Sequence, residues 1–200
     1  MRAFLGVVIA SLTVGFSLGQ VREADVVVYG GTAGGTIAAI AAAGEGVSVI
    51  LLEPRRHLGG MLTGGLGRTD MDRQEHVIGG FAREFFRRAG NHYGQTLAWT
   101  FEPSVASRIL NDWIEDSSVE VLFEHRLESV TVEEGRISSI RTENGAELQA
   151  KVYIDSSYEG DLMAQAGVSY TVGREGREVY GESFAGIREI QPGTVSYTHL

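Results

Sequence analysis

Glycine spacing and one acid carry the first chemical signal. The stretch Gly30-Gly-Thr-Ala-Gly-Gly35 stands between an apolar β-branched run, Asp25-Val-Val-Val-Tyr29, and a run of small residues over 36–43. A glycine turn that opens a helix directly after a buried strand gathers backbone N–H groups and the positive end of the helix dipole at one point. A pyrophosphate fits there. Gly30 permits the tight turn and Gly35 lets the helix lie close to the strand, while Gly31, Ala33 and Gly34 complete the curve. Ala38, Ala39 and Ala42 keep the helix–strand contact thin. Glu53 ends a second apolar run, Val47-Ser-Val-Ile-Leu-Leu52, 23 residues after Gly30. An acid at that place suits hydrogen bonds from ribose hydroxyls. The usual spacing is G-x-G-x-x-G, and its middle place is Thr32 here. A Cβ at that place limits how closely the backbone approaches a phosphate, and the Thr32 hydroxyl offers a compensating contact.

A second group follows the acid. Pro54, Arg55 and Arg56 lead through His57-Leu58 into Gly59-Gly60-Met61 and Thr63. The guanidinium of Arg55 or Arg56 can stack on or pair with an adenosine, or simply lie in a solvated loop. His57 is placed where a covalent link to a bound cofactor is conceivable, although most such sites lack one. Asp70, Asp72, Glu75 and His76 could be read as hard-metal ligands. A solvated acidic loop is the favoured reading, and no metal is expected. His92-Tyr93 reads as packing or as the lining of a pocket, with packing favoured, and Trp99 and Phe101 read as core or interface rather than cofactor-stacking residues. No serine stands in a nucleophile-elbow context, so hydrolase chemistry is unsupported.

These groups need a scaffold. The runs 25–29 and 47–52 are buried strands, and 36–43 is a helix stopped by Gly44 and Gly46. Together they form a βαβ unit. Residues 81–89 and 104–116 read as amphipathic helices, and 119–123 as a third strand. Three further runs, 127–132, 136–141 and 147–155, are separated by Glu134-Gly135 and Asn144-Gly145, both hairpin chemistry. The last run ends in Asp155, and 162–166 opens a short helix. A simple NAD domain would return by a helix rather than by an antiparallel excursion.

Composition sets the outer limits. The chain has 200 residues, 43% apolar and 22% charged, which is globular and excludes a disordered polymer or a multi-span membrane protein. Eleven of its 27 glycines lie between Gly30 and Gly67, so the excess belongs to the loops just described. Cysteine is absent, which removes disulfides, thiolate catalysis and iron–sulfur ligation from this stretch. The net charge is −9 with no polybasic run, so neither nucleic acid nor an anionic membrane is an expected partner. Lys151 is the sole lysine.

The two ends read differently from the middle. Arg2 precedes an uncharged apolar stretch, and Ser17-Leu-Gly19 supplies small residues for cleavage before Gln20. This is the layout of a Sec-type signal peptide over 1–19, implying export to the periplasm or beyond. The leader has no twin arginine. Either a bound nucleotide is acquired after export or the segment is not a leader. Residues 195–200, Val-Ser-Tyr-Thr-His-Leu, match an in-frame reading of a transposon-adapter end, so a sequencing artefact is expected there.

The loop motifs carry a resemblance. Glu53 followed by Gly59-Gly60 resembles the extended FAD motif of glutathione-reductase-like flavoproteins. Gly59-Gly-Met-Leu-Thr-Gly-Gly-Leu-Gly67 and Ile154-Asp-Ser-Ser-Tyr-Glu-Gly-Asp-Leu-Met163 resemble a bacterial group of FAD-dependent oxidoreductases, some labelled xanthan lyase-like. Ile78-Gly-Gly-Phe-Ala-Arg-Glu-Phe85 and Tyr170-Thr-Val-Gly-Arg-Glu175 continue the likeness, which covers 24–188. It implies an α/β fold: a Rossmann-like FAD-binding domain with a parallel sheet and a three-stranded antiparallel β-meander crossover, incomplete at its C-terminus. The implied FAD-binding domain is 20–167, with 168–194 starting a substrate or cap region. The resemblance implies FAD as cofactor and a small-molecule substrate. It places the backbone near Arg126-Leu127 at the adenine, and Asp155, Ser156 and Asp161 on the nucleotide side. It assigns no catalytic residue. An NAD-linked dehydrogenase and a carbohydrate-associated binding or lyase protein stay open, and a flavin spectrum separates them.

Overall fold

The structure, a computed structural model, describes residues 21–69, 75–183 and 185–186. The leader, Asp70, Asp72 and the 195–200 tail lie outside them. The chain divides into two compact units, Met1–Gly167 and Val168–Leu200.

The first unit is built on one six-stranded sheet, β1 Val21–Tyr29, β2 Val49–Glu53, β3 Glu120–Phe123, β4 Leu127–Glu133, β5 Arg136–Thr142 and β6 Glu147–Asp155. Their order is β3-β2-β1-β6-β5-β4. β1, β2, β3 and β6 are parallel, while β4 and β5 run as an antiparallel hairpin that leads into β6. The last strand of the meander is therefore itself the return strand of the parallel sheet. β1 begins earlier than the 25–29 run, because its first residues find partners on β6, from Val21 opposite Glu147 onward. Nothing in the polar sequence Val21-Arg-Glu-Ala24 announces that pairing; the opposing strand supplies it.

Alternation along β1 divides the core in two. Val26 and Val28 face one side with Val49 and Leu51, under helices α1 Ala33–Gly44, α3 Gly80–His92 and α4 Pro103–Glu115. Val27 and Tyr29 face the other with Ile50, Leu52, Leu127, Ile140 and Leu148. The central strands are thus covered on both faces, as parallel sheets require. Phe85, Phe86, Trp99 and Phe101 pack among themselves, Phe86 and Trp99 at 4.3 Å between ring centres. Trp99 and Phe101 are packing residues, as their sequence implied.

Low on β1, the Asp25 carboxylate accepts the Lys151 ammonium at 2.6 Å, together with the Ser48 N–H and hydroxyl. The lysine, then the serine, hold that carboxyl well below its ordinary value. The contact ties β1 to β6 and to the entry of β2.

The second unit is described from Val168 to Gly186 with Phe184 excepted. Its described residues include a short helix, α6 Arg177–Tyr180, whose first residue donates through its guanidinium to the Ala185 carbonyl at 3.3 Å.

Candidate functional site

The carboxyl ends of β1, β2 and β6 open onto a cleft of about 580 Å³. Open α/β sheets place their ligands at this edge. Its wall includes Tyr29, Gly30 and Thr32 from the first turn, and Glu53, Pro54, Arg55 and His57 after β2. Gly60, Met61 and Gly64 contribute from the glycine loop, and Arg126 from the start of β4. Ser157, Tyr158, Glu159 and Asp161 close it after β6. Three motifs far apart in sequence meet here.

The first turn is compact. The Gly30 N–H donates to the Leu52 carbonyl at 2.9 Å, and Gly30 itself has a φ of +98°, open to glycine at no steric cost. Thr32 is the N-cap of α1: its hydroxyl accepts the Gly35 N–H at 3.1 Å and donates to the Ser156 carbonyl at 3.0 Å. The substitution in the glycine pattern is thus used inside the protein. It starts the helix one turn earlier than the 36–43 run and fastens it to the loop after β6. Ala33, Gly34 and Gly35 form the first helical turn, directly after Thr32 in the wall, and Gly35 is buried.

Glu53 is 8% exposed. Its Oε2 accepts the Gly31 N–H and its Oε1 the Arg55 N–H, each at 2.7 Å. Two N–H donors satisfy the buried charge, and each oxygen keeps acceptor capacity for a hydroxyl. Arg56 lies off the cleft and pairs with Glu124 at 2.7 Å. Arg55 and Arg126 line the cleft instead.

The second glycine group forms a short helix, α2 Met61–Gly64. Gly59 bridges to Thr32 as a parallel β-contact, its N–H donating to the Gly31 carbonyl at 2.7 Å. Thr63 does not line the cleft. Its hydroxyl donates to the Leu58 carbonyl at 2.6 Å and braces the loop from within.

The segment after β6, with helix α5 Asp161–Gln165, is wound by its own side chains. Asp155 Oδ1 accepts the Ser157 N–H and hydroxyl at 2.9 and 2.7 Å, and Oδ2 accepts the Met163 N–H at 2.8 Å. Asp155 and Ser156 therefore shape the wall without lining it; the Ser156 N–H is taken by the Tyr29 carbonyl at 2.8 Å. Asp161 does line it.

Leu127 is placed differently from its expectation. It is buried, and its N–H donates to the Tyr29 hydroxyl at 3.2 Å. Its neighbour Arg126 reaches the cleft, although the Arg126 carbonyl accepts the Glu143 N–H at 2.9 Å. Tyr29 was not among the expected residues. Its ring is core and its edge is cleft wall, and burial pushes its phenol above the ordinary range. The signal available was a tyrosine ending an otherwise aliphatic strand. Tyr158, Ser157 and Glu159 were visible only as parts of the 154–163 motif.

Glu75 and His76 sit in a 3-10 turn, and among the described residues no group of three or more metal-ligating side chains forms. Tyr93 accepts the Glu102 N–H at 3.0 Å and stands edge-on to His92, a packing arrangement.

The donors and acceptors fit a dinucleotide. A helix N-terminus suits the diphosphate, a carboxylate with spare lone pairs suits a ribose, and Arg55 and Arg126 suit the base or phosphates. The glycines fit too, since a Cβ at Gly31 would stand 2.8 Å from Glu53 Oε2 and push the acid out of place.

Comparison with known proteins gives the same answer. No curated protein matches the sequence. Among solved structures the fold is similar to L-proline dehydrogenase from P. horikoshii, at a TM-score of 0.58 and 14% identity over 78% of this chain and 59% of that one. It is similar to a flavoprotein/dehydrogenase from Cytophaga hutchinsonii, at 0.53 and 19% over 73% and 42%. It is also similar to a geranylgeranyl bacteriochlorophyll reductase-like protein from Thermoplasma acidophilum, at 0.52 and 21% over 74% and 43%. At these identities the likeness is one of fold, and the chain spans less than two thirds of each. The sequence profile of the FAD dependent oxidoreductases matches residues 25–198. The chain belongs to that family, and its cofactor is FAD.

Proposed function

We propose that this chain is the nucleotide-binding part of an exported bacterial flavoenzyme that transfers hydride or electrons to or from a small-molecule substrate. Bound FAD supplies the redox chemistry, and the protein supplies binding, orientation and exclusion of water. The observation that carries the reading is the convergence of three separated motifs on one cleft at the carboxyl edge of β1, β2 and β6.

Roles follow from placement. Glu53 accepts from the adenosine ribose; the first turn of α1 faces the diphosphate; Arg55 and Arg126 contact the adenosine end. Gly60, Met61 and Gly64 line the part of the cleft left for the rest of the cofactor.

The test is the full-length protein, purified and desalted. A flavin absorbance spectrum that survives desalting supports the reading. A folded full-length protein that takes up no FAD overturns it. Export is supported by the apolar leader alone, and sequencing the N-terminus of the mature protein tests it: a start at Gln20 supports it, and a start at Met1 overturns it.

A further inference from the structure

One side chain at the rim of the cleft does something that cofactor contacts do not require. Tyr158 is 57% exposed, yet its hydroxyl oxygen accepts the Met61 N–H at 2.7 Å. The ring lies against Gly60: a Cβ there would collide with the Tyr158 hydroxyl and approach the ring carbons to 3.0–3.3 Å. Gly60 also has a φ of +53°. The backbone at residue 60 therefore favours glycine, and the end of the Tyr158 side chain occupies the space a Cβ would take.

The two segments that meet here are each held from within. Asp155 and Ser157 wind the segment that carries Tyr158, the Ser157 hydroxyl accepting the Gly160 and Asp161 N–H groups at 2.9 and 3.2 Å. Thr63 and the Thr32–Gly59 bridge hold the glycine loop. Between these stiff loops runs one phenol-to-backbone hydrogen bond, and Gly60, Met61 and Tyr158 all line the cleft. A ligand that fills the cleft lies against both of the loops that this bond joins.

The geometry points to Tyr158 as a latch that closes the FAD cleft, slowing both entry and release of the cofactor. This rests on the reading that FAD occupies the cleft. Because the latch acts through one hydroxyl, its removal lowers the cost of opening without removing the binding surface. A tyrosine that merely contacted the cofactor would change release alone, and one that merely supported the fold would change neither rate selectively.

The experiment compares full-length wild type with Tyr158→Phe. Flavin fluorescence follows FAD uptake by the apoprotein and FAD release from the holoprotein. The expected result is that both rates rise about fivefold, the factor that corresponds to one net hydrogen bond of about 1 kcal/mol. The dissociation constant then changes by less than about twofold. Unchanged rates in a variant whose wild type binds FAD overturn the latch alone. So does faster release with unchanged uptake. A wild type that binds no FAD overturns both the latch and the site reading.

Discussion

The first turn and the segment after β6 pack directly against each other at the edge of the cleft and keep their shapes by opposite means. The turn at Gly30–Gly35 works by lacking side chains. A Cβ at Gly30 would stand 2.8 Å from the Ser157 nitrogen, and one at Gly35 would stand 2.9 Å from the Ser156 Cβ and collide with the Gly30 carbonyl. The segment after β6 works by having them: the Asp155 carboxylate and the Ser157 hydroxyl accept the N–H groups of Ser157, Gly160, Asp161 and Met163. The two are also complementary, since the room left by the glycines is filled by the backbone that Asp155 and Ser157 hold in place. The first loop is therefore vulnerable to added atoms and the second to removed oxygens.

That contrast can be tested in order of expected size. Gly35→Ala adds one methyl group against backbone rather than against a flexible side-chain end. It is expected to cost about 3 kcal/mol or more and to abolish stable FAD binding. Thermal unfolding and flavin absorbance measure it, and a variant of wild-type stability would show that the turn has slack. Asp155→Asn keeps the shape but offers one acceptor oxygen in place of two. A Ser157 or Met163 donor then faces an amide N–H, at a cost of about 1–3 kcal/mol in urea unfolding. Asp155→Glu, which keeps both oxygens on a longer arm, separates loss of charge from loss of fit. Thr32→Ala is the smallest. Thr32 is the one side chain of the first turn that reaches the opposite loop, and its loss removes an N-cap worth about 1 kcal/mol. Thr32→Ser retains the hydroxyl and is expected to recover most of the loss in the same urea titration. Recovery assigns the effect to the cap and the Ser156 bond; failure to recover assigns it to the methyl group and breaks the contrast between the two loops.

Much of this was legible along the chain because it depends on neighbours in sequence. The β-branched run before Gly30, the small-residue helix after it and Glu53 at the end of the next strand are local patterns, and each stands where its pattern places it. Asn144-Gly145 and Glu134-Gly135 mark the turns of the excursion for the same reason: both second residues take positive φ, which glycine accepts freely. Site membership was less legible. Thr63, Asp155 and Ser156 belong to the right motifs but spend their polar atoms on the protein, whereas Tyr29, Arg126 and Tyr158 line the cleft without a local signature.

The sequence by itself determined that this is a βαβ nucleotide fold with an antiparallel excursion, and its loop motifs resembled those of FAD-dependent oxidoreductases. Periodicity, glycine placement and the terminal acid are properties of short segments. Only the tertiary structure decided which polar groups remain for a ligand. A hydrogen bond such as Leu127 to Tyr29, Thr32 to Ser156 or Met61 to Tyr158 joins residues about a hundred or more positions apart. Such partners are chosen by the register of β1 against β6 and by the packing of the loops beyond it. The same residue type can therefore be a ligand contact or a structural brace, and only the fold tells the two apart.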